Sequence, residues 1–248
     1  GHPARDIRAA DPHAPSLEKL RENTAITLCA DNSEAARGAD VVILAVKPQV
    51  MADAVQSISA AVRDSGAVII SIAAGVTIAS MQARLGADAA VVRCMPNTPA
   101  LLGCGASALY ANHRASAQQR DHAEAILSAV GICSWLEQES DLDAITALSG
   151  SGPAYFFLFM EAIIAAGREL GLDAGTAQRM TLQTALGAAR MGLESEVELA
   201  ELRRRVTSPG GTTERAVQSF QQDRLEDVVL RAMRAAADRA AEMAREMG

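Results

Sequence analysis

The sequence predicts an α/β protein in which a doubly wound parallel Rossmann-type sheet precedes an all-α domain. Residues 41–46 form an unbroken apolar run, and residues 67–72 and 90–95 are apolar except for Ser71 and Arg93, which is typical of strands that are covered on both faces. Helical segments separate these runs, at residues 49–62 and 78–85. The alternation of strand and helix indicates a parallel sheet wrapped by helices.

Weaker patterns complete the predicted organisation. Short strands are expected at residues 7–12, 106–111 and 132–136, with a helix at residues 116–130. From Ser140 onward only helices are predicted, and Ser140 with Asp143 resembles a capping box. We therefore predict a dinucleotide-binding domain at residues 1–139 and a helical substrate-binding and dimerisation domain at residues 140–248. The apolar stripe of the last helix is interpreted as core, and a helical domain this apolar, with little sheet of its own to cover, is expected to bury surface against a second copy.

Composition excludes several classes of protein. The net charge is −7 and aromatic residues make up 3%, which disfavours a nucleic-acid surface. The four cysteines are scattered and are interpreted as core thiols, and no metal site is predicted. The most apolar helical stretch, residues 154–167, is shorter than a bilayer requires and contains Glu161. We expect no membrane partner and a cytoplasmic location.

Two loops combine small hydroxyl groups with glycine. Residues 206–213 read Val-Thr-Ser-Pro-Gly-Gly-Thr-Thr and stand before a helix, so free amides of Gly210, Gly211 and the threonines are expected to bind an anion. Residues 149–155 read Ser-Gly-Ser-Gly-Pro-Ala-Tyr and are expected to interrupt a helical run. A simple capped turn would explain either loop alone. Together they favour a site that orients a small polar substrate while a cofactor supplies the chemistry.

Cofactor contacts are expected where parallel strands end. Lys47 follows one predicted strand and offers a charge for phosphate or ribose, while the alanines before Gly75 permit close approach. Asn32 is a candidate for the adenine side, and Asp11 for a ribose hydroxyl. No G-x-G-x-x-G loop occurs in the sequence. We therefore expect the chain to start after the first strand, loop and helix of such a domain.

These motifs together resemble the pyrroline-5-carboxylate reductase family. The resemblance runs through residues 45–48, 71–75, 93–99, 149–155 and 202–220 and so covers essentially the whole chain. It implies hydride transfer from NADPH or NADH to the C=N carbon of 1-pyrroline-5-carboxylate, which gives L-proline. It also implies a homodimer, with dimers assembling into a decamer.

The resemblance also implies roles for individual residues. It implies cofactor contacts at Asn32, Ala45, Val46, Lys47, Pro48, Ile72, Ala73 and Ala74, and substrate contacts at Glu196, Thr212 and Thr213. Reasoning from the residues adds Asp11 to the cofactor site and Ser208, Gly210 and Gly211 to the substrate site, and it assigns catalysis to Thr213. Ala10 stands where many relatives have serine or threonine, so the choice between NADH and NADPH stays open.

Two alternatives remain at this point. One is a related dehydrogenase of small hydroxy or keto acids, which usually employs a lysine at the reacting centre; the helical half contains no lysine. The other is a catalytically silent helical dimer that lacks a complete cofactor loop.

Overall fold

The computed structural model describes residues 2–247, and their packing divides the chain into two compact units. The first unit is Gly1–Ser151 together with Ala235–Gly248, and the second is Gly152–Arg234. The functional boundary expected between residues 139 and 140 stays a prediction, because packing alone does not test what each part binds.

The first unit contains all the strands of the described chain. The strands are β1 Arg8–Ala9, β2 Thr27–Leu28, β3 Val41–Leu44, β4 Val68–Ser71, β5 Val91–Met95, β6 Gly105–Ala111 and β7 Gly131–Trp135. The helices of this unit are α1 Ala14–Asn23, α2 Asn32–Ala36, α3 Met51–Ser65, α4 Ile78–Leu85, α5 Ala117–Ser128 and α6 Asp141–Ile145.

The main sheet has five strands in the order β3-β4-β5-β6-β7. Strands β3, β4 and β5 are parallel, whereas β6 runs antiparallel to β5 and β7 is parallel to β6. The expectation of a wholly parallel sheet is therefore wrong at β6. The segment between β5 and β6 holds only a 3₁₀ turn, Thr98–Leu102, and is too short for the crossover that a parallel return requires.

Strands β1 and β2 form a separate parallel pair. The strand expected at residues 7–12 is Arg8–Ala9, and its partner, Thr27–Leu28, has no counterpart among the sequence-based expectations. Two-residue strands are too short to show a period in the sequence, which explains why the second one escaped detection.

The core lies on both faces of the main sheet. Ile69 packs in one apolar cluster with α3 and α4, while its neighbours Val68 and Ile70 pack in a second cluster with α5. Side chains of successive strand residues point to opposite faces, so one strand supplies both clusters. Every residue of β4 is buried, as the unbroken apolar run predicts.

Helix starts follow the expected chemistry only in part. Thr77 caps α4 by accepting the Ser80 amide at 3.2 Å, and Ser116 with Gln119 forms a capping box at α5. The capping box expected at Ser140 is wrong, since the side chain of Ser140 accepts no capping hydrogen bond. The residue itself already has helical backbone angles.

The second unit is helical. Its helices are α7 Gly152–Glu169, α8 Ala174–Glu194, α9 Leu199–Arg205, α10 Thr212–Gln222 and the first part of α11, Leu225–Met247. Helix α7 packs against α8, and Phe159 meets Phe220 of α10 with ring centroids 6.0 Å apart. Large apolar side chains nevertheless remain exposed on α7, including Phe156 at 70% and Leu158 at 68%.

Helix α7 belongs to a longer helical run, Asp141–Glu169. This run has 29 residues and an 18-residue window of mean hydropathy 1.3, so by length and composition alone it could cross a membrane. The expectation that this stretch is too short is therefore wrong on length. A π-helical turn, Thr146–Gly150, joins α6 to α7 where a loop was expected.

Candidate active site

The carboxyl ends of β3 and β4 bring two predicted cofactor segments to one edge of the main sheet. Residues 45–48 follow β3 directly, and residues 72–74 follow β4. The Ile72 amide donates to the Leu44 carbonyl at 3.2 Å, so the two segments leave the sheet side by side. In open α/β sheets this edge is where ligands bind.

The chemistry of this edge suits a phosphate or a ribose. Lys47 is exposed, and its ammonium has no ion pair among residues 2–247. Pro48 begins a 3₁₀ turn in which the Val50 amide donates to the Lys47 carbonyl at 3.1 Å. Gly75, which follows residues 72–74, has a φ of 75°, and a Cβ there would lie 3.2 Å from the Met243 Cβ of α11. The close approach of a ligand expected at the alanines before Gly75 stays a prediction.

Asp11 and Asn32 lie beside the smaller β1–β2 pair. The Asp11 carboxylate accepts the His13 amide at 2.7 Å, which leaves its second oxygen without a partner in the part of the chain that the structure describes. Asn32 is the first residue of α2, and its Nδ2 donates to Ser57 Oγ on α3 at 3.0 Å. Within residues 2–247, no strand pairing joins this pair to the strands before residues 45–48 and 72–74.

The end of β5 is joined to the π-helical turn. Asn97 Nδ2 donates to the Ser149 carbonyl at 3.1 Å, and Asn97 Oδ1 accepts the Ala106 amide at 2.9 Å. Met95 packs so close to Gly150 that a Cβ on Gly150 would lie 2.5 Å from the methionine methyl group. The glycine and serine residues of this segment therefore permit close contact with β5, whereas the sequence pattern indicated a loop.

Strand β5 also contributes one partner of a largely buried ion pair. Arg93 Nη1 lies 2.8 Å from Glu139 Oε1, and the same carboxylate oxygen accepts the Ile78 amide at the start of α4 at 2.8 Å. The Arg93 side chain is only 8% exposed. Burial raises the pKa of nearby Asp143, and the positive charge of Arg93 opposes this shift. Arg93 was not singled out from the sequence, although a lone arginine within an apolar strand was a usable signal.

The second unit presents the predicted substrate loop between α9 and α10. Gly210 has a φ of 73°, and the Gly211 amide donates to the Ser208 carbonyl at 3.0 Å. The Gly210 amide donates to Glu214 Oε2 at 2.8 Å. Two of the amides that we expected to be free are therefore engaged within the loop.

The first turn of α10 keeps its own amides free. The backbone N–H groups of Thr212, Thr213 and Glu214 have no hydrogen-bond partner among residues 2–247. The side chain of Gly211, a hydrogen atom, leaves the helix without a side-chain cap. Unsatisfied amides at a helix start, aided by the helix dipole, bind anions. Among the described residues, the amides available to an anion are therefore those of the first helical turn and not those of Gly210 and Gly211.

The other predicted substrate residues are dispersed in this unit. Ser208 is exposed in the loop, Thr212 is exposed and Thr213 is half-buried. Glu196 is exposed in the bend between α8 and α9, and no hydrogen bond among the described residues joins it to the loop.

The arginines at the end of α9 form a separate cluster. Glu201 accepts hydrogen bonds from Arg204 and Arg205, and these contacts lower its pKa to about 2. All three arginines, Arg203 included, are exposed, which agrees with a solvated helix end.

Comparison with known proteins decides the family. Residues 139–243 match the family model for pyrroline-5-carboxylate reductase dimerisation, and residues 1–75 match that for NADP oxidoreductase, coenzyme F420-dependent. The Pseudomonas aeruginosa pyrroline-5-carboxylate reductase is 55% identical over 248 residues, which cover 100% of this chain and 90% of that relative. The chain belongs to the pyrroline-5-carboxylate reductase family.

Solved structures agree with this membership. A pyrroline-5-carboxylate reductase from Coxiella burnetii is 40% identical, with a TM-score of 0.92 over 96% of this chain and 88% of that one. The Plasmodium falciparum pyrroline carboxylate reductase, crystallised with NADP bound, is 30% identical. Its TM-score is 0.83, over 96% of this chain and 87% of that one.

These findings settle several of the sequence-based expectations. The family, the Rossmann-type domain followed by a helical dimerisation domain, the oxidoreductase activity and the nicotinamide dinucleotide are confirmed. A small-molecule substrate and a homo-oligomer are supported as well. The exposed apolar residues of α7 lie within the matched dimerisation region, which favours a second copy as their cover. The roles of individual residues stay predictions.

Proposed function

We propose that this chain reduces the C=N bond of 1-pyrroline-5-carboxylate with NADPH or NADH and releases L-proline. The reaction adds a hydride to the imine carbon and a proton to the ring nitrogen, so the protein needs no nucleophile. The observation that carries the proposal is the first turn of α10, where three free amides stand beside the Thr213 hydroxyl. An imino acid offers a carboxylate to these amides.

The nicotinamide dinucleotide supplies the hydride when bound. Its proposed contacts are Asp11, Asn32 and residues 45–48 and 72–74. The free second oxygen of Asp11 suits a ribose hydroxyl, and the unpaired Lys47 ammonium suits a phosphate. These groups fit the ribose and phosphate portions of the cofactor in chemical type, whereas the amide-rich turn that would cradle a pyrophosphate has no G-x-G-x-x-G counterpart in the sequence.

Thr213 is proposed to orient the ring nitrogen. Its hydroxyl both donates and accepts hydrogen bonds, so it can hold the nitrogen and pass it a proton that comes from water. A threonine hydroxyl is a poor acid, so orientation is its main contribution. Holding the reacting carbon within about 3–3.5 Å of the hydride donor would supply much of the rate.

Supporting roles are proposed for the remaining predicted residues. Ser208 and Thr212 would add hydroxyl contacts around the substrate carboxylate, and the turn at Gly210 and Gly211 would let the substrate approach the backbone. Glu196 would add a further substrate contact. The assignments of Glu196 and Thr212 come from the family resemblance, and those of Ser208, Gly210 and Gly211 from their place in the loop.

The oligomeric state and the cellular location are proposed from exposed side chains and from the relatives, and not from individual site residues. The exposed apolar side chains of α7 and the match to a dimerisation family support a homodimer, and the resemblance extends this to a decamer. Light scattering coupled to size-exclusion chromatography would distinguish a dimer from a decamer. A cytoplasmic location is proposed because the close relatives are bacterial biosynthetic enzymes.

The decisive experiment is the oxidation of NADH and of NADPH by the purified protein in the presence of 1-pyrroline-5-carboxylate. Turnover that depends on the imine and yields L-proline would support the proposal, and the ratio of the two rates would give the cofactor preference. A small keto acid, offered instead, tests the related dehydrogenase. Binding of L-proline without any turnover would instead favour the catalytically silent dimer.

A further inference from the structure

The carboxylate of Glu214 lies inside the loop that we propose for the substrate carboxylate. Its Oε2 accepts the Gly210 amide at 2.8 Å, from a position four residues further along the chain. Glu214 is half-buried and occupies the third position of α10. The contact therefore closes a ring between the loop and the first turn of the helix.

This contact fixes the backbone just before the free amides. Gly210 is in the left-handed region, with a φ of 73°, and the following Gly211 amide is held by the Ser208 carbonyl at 3.0 Å. Without Glu214, glycine at this position has many accessible conformations. The Glu214 contact is thus one of two hydrogen bonds that hold the shape of the turn before a ligand arrives.

The hydrogen bond to Glu214 occupies the backbone amide of Gly210, whereas three backbone amides in the first turn of α10 stay available. The N–H groups of Thr212, Thr213 and Glu214 itself have no partner in the described residues. If the loop relaxed, the Gly210 amide would be released and the orientation of the turn before Thr212 would be lost. A rigid turn binds a ligand more tightly than a flexible one because less conformational entropy is lost on binding.

We propose that Glu214 is a positioning residue that preorganises the substrate loop through its hydrogen bond to the Gly210 amide. This inference rests on the proposed function, since it takes the free amides as the binding site for a carboxylate. The side chain of Glu214 acts through the backbone of the turn, whereas its own amide is one of the three proposed to bind the substrate carboxylate. Its negative charge lies near the ligand's own carboxylate, so the hydrogen bond and the charge have opposite effects on binding.

Two substitutions separate these effects. Glu214→Gln retains an acceptor oxygen and removes the charge, whereas Glu214→Ala removes both. Glu226 is the matched control, because it is an exposed acidic residue in the first turn of α11 with no side-chain hydrogen bond among residues 2–247. The measurements are KM for 1-pyrroline-5-carboxylate, kcat, the equilibrium binding of L-proline by calorimetry, and the melting temperature.

Preorganisation predicts a defined pattern. Glu214→Ala should raise KM and weaken L-proline binding by about three- to tenfold, because the loss of the charge near the ligand carboxylate offsets part of the loss of the charge-assisted hydrogen bond. Glu214→Gln should bind at least as well as the unmodified chain, and Glu226→Ala should change neither value. A purely structural role would lower the melting temperature of Glu214→Ala without changing KM or L-proline binding, and would overturn the inference. Equal weakening by Glu214→Gln and Glu214→Ala would also overturn it.

Failure of the proposed function would look different. If Thr213→Val and Gly211→Val leave L-proline binding unchanged, the loop is not the carboxylate site and both ideas fall. If those two variants weaken binding while Glu214→Ala does not, the site stands and only the role of Glu214 is rejected.

Discussion

Asn97 Nδ2 donates to the carbonyl oxygen of Ser149 at 3.1 Å, which ties the end of β5 to the π-helical turn before α7. Both polar atoms of the carboxamide form hydrogen bonds, because the Oδ1 of Asn97 accepts the Ala106 amide at 2.9 Å. One side chain thereby links a strand end on the cofactor edge of the sheet, the start of the next strand and the helix that leaves the first unit. Single π turns within helices are frequent at functional sites.

Substitution of Asn97 should destabilise the chain. Asn97→Ala removes both hydrogen bonds and should cost about 1–3 kcal/mol of unfolding free energy, which denaturant titration measures. Asn97→Asp keeps the acceptor for Ala106 but places an oxygen against the Ser149 carbonyl, so it should cost as much or more. The exposed Asn23, whose amide bonds only locally to the Lys19 carbonyl, provides the control variant Asn23→Ala. Equal stability of all three variants would show that the contact contributes nothing.

Thr213→Val should lower activity well beyond any effect on folding. Valine keeps the shape of threonine and removes the hydroxyl, so kcat/KM should fall about tenfold, the equivalent of one lost hydrogen bond in the transition state. Steady-state kinetics with saturating cofactor measure this. Thr176, in the first turn of α8, supplies the control variant Thr176→Val. Unchanged kinetics in Thr213→Val would remove its hydroxyl from the mechanism.

Gly211→Val should weaken substrate binding. A Cβ on Gly211 would lie 3.0 Å from the Ser208 carbonyl oxygen, which is backbone and can yield only by moving the loop. We expect KM to rise by about tenfold, since a displaced turn misaligns the amides of the next residues. Gly187→Ala is the control, because a Cβ there meets nothing within 4 Å. A normal KM for Gly211→Val would argue against this loop as the anion site.

The four cysteines should react with a thiol reagent in a defined order. Only Cys104 is fully exposed, so the interpretation of all four as core thiols is wrong for this residue. Burial raises the pKa of Cys94 to about 12, and burial also raises the pKa of Cys29. Because the thiolate is the reactive form, labelling followed by peptide mass spectrometry at mildly alkaline pH should modify Cys104 first. Early modification of Cys94 in the folded chain would contradict the structure.

The sequence was most informative where burial imposed a pattern. The strands β4 and β5, and the helix Ile78–Leu85, were predicted because strands covered on both faces consist mostly of apolar residues. The antiparallel direction of β6 was missed, although the connection at residues 96–104 is too short for the crossover that a parallel strand requires. Residues 149–152 have the composition of a loop. The Ser151 amide nevertheless donates to the Thr146 carbonyl at 2.8 Å, and the helix continues.

For the proposed substrate loop, the sequence indicates a segment and not which of its atoms are available to a ligand. Glycines and threonines marked residues 206–213, because few other roles suit that composition. Which amides remain free depends on the rotamer of Glu214 and on the Ser208 carbonyl, and no sequence pattern fixes either of them. The same holds for Arg93, whose partner Glu139 is distant in sequence and becomes a neighbour only when the sheet forms.

The Arg93–Glu139 pair should be more costly to break than to replace. Arg93→Met leaves the Glu139 carboxylate with only the Ile78 amide as a partner among the described residues, and we expect a loss of about 3 kcal/mol in unfolding free energy. Glu139→Gln keeps an acceptor for Ile78 but leaves a buried guanidinium without its counterion, so it should cost a similar amount. The double variant Arg93→Met with Glu139→Gln removes both charges and should recover much of the loss. A double variant as unstable as the sum of the two single changes would show that Arg93 and Glu139 do not stabilise each other, because independent sites give additive costs.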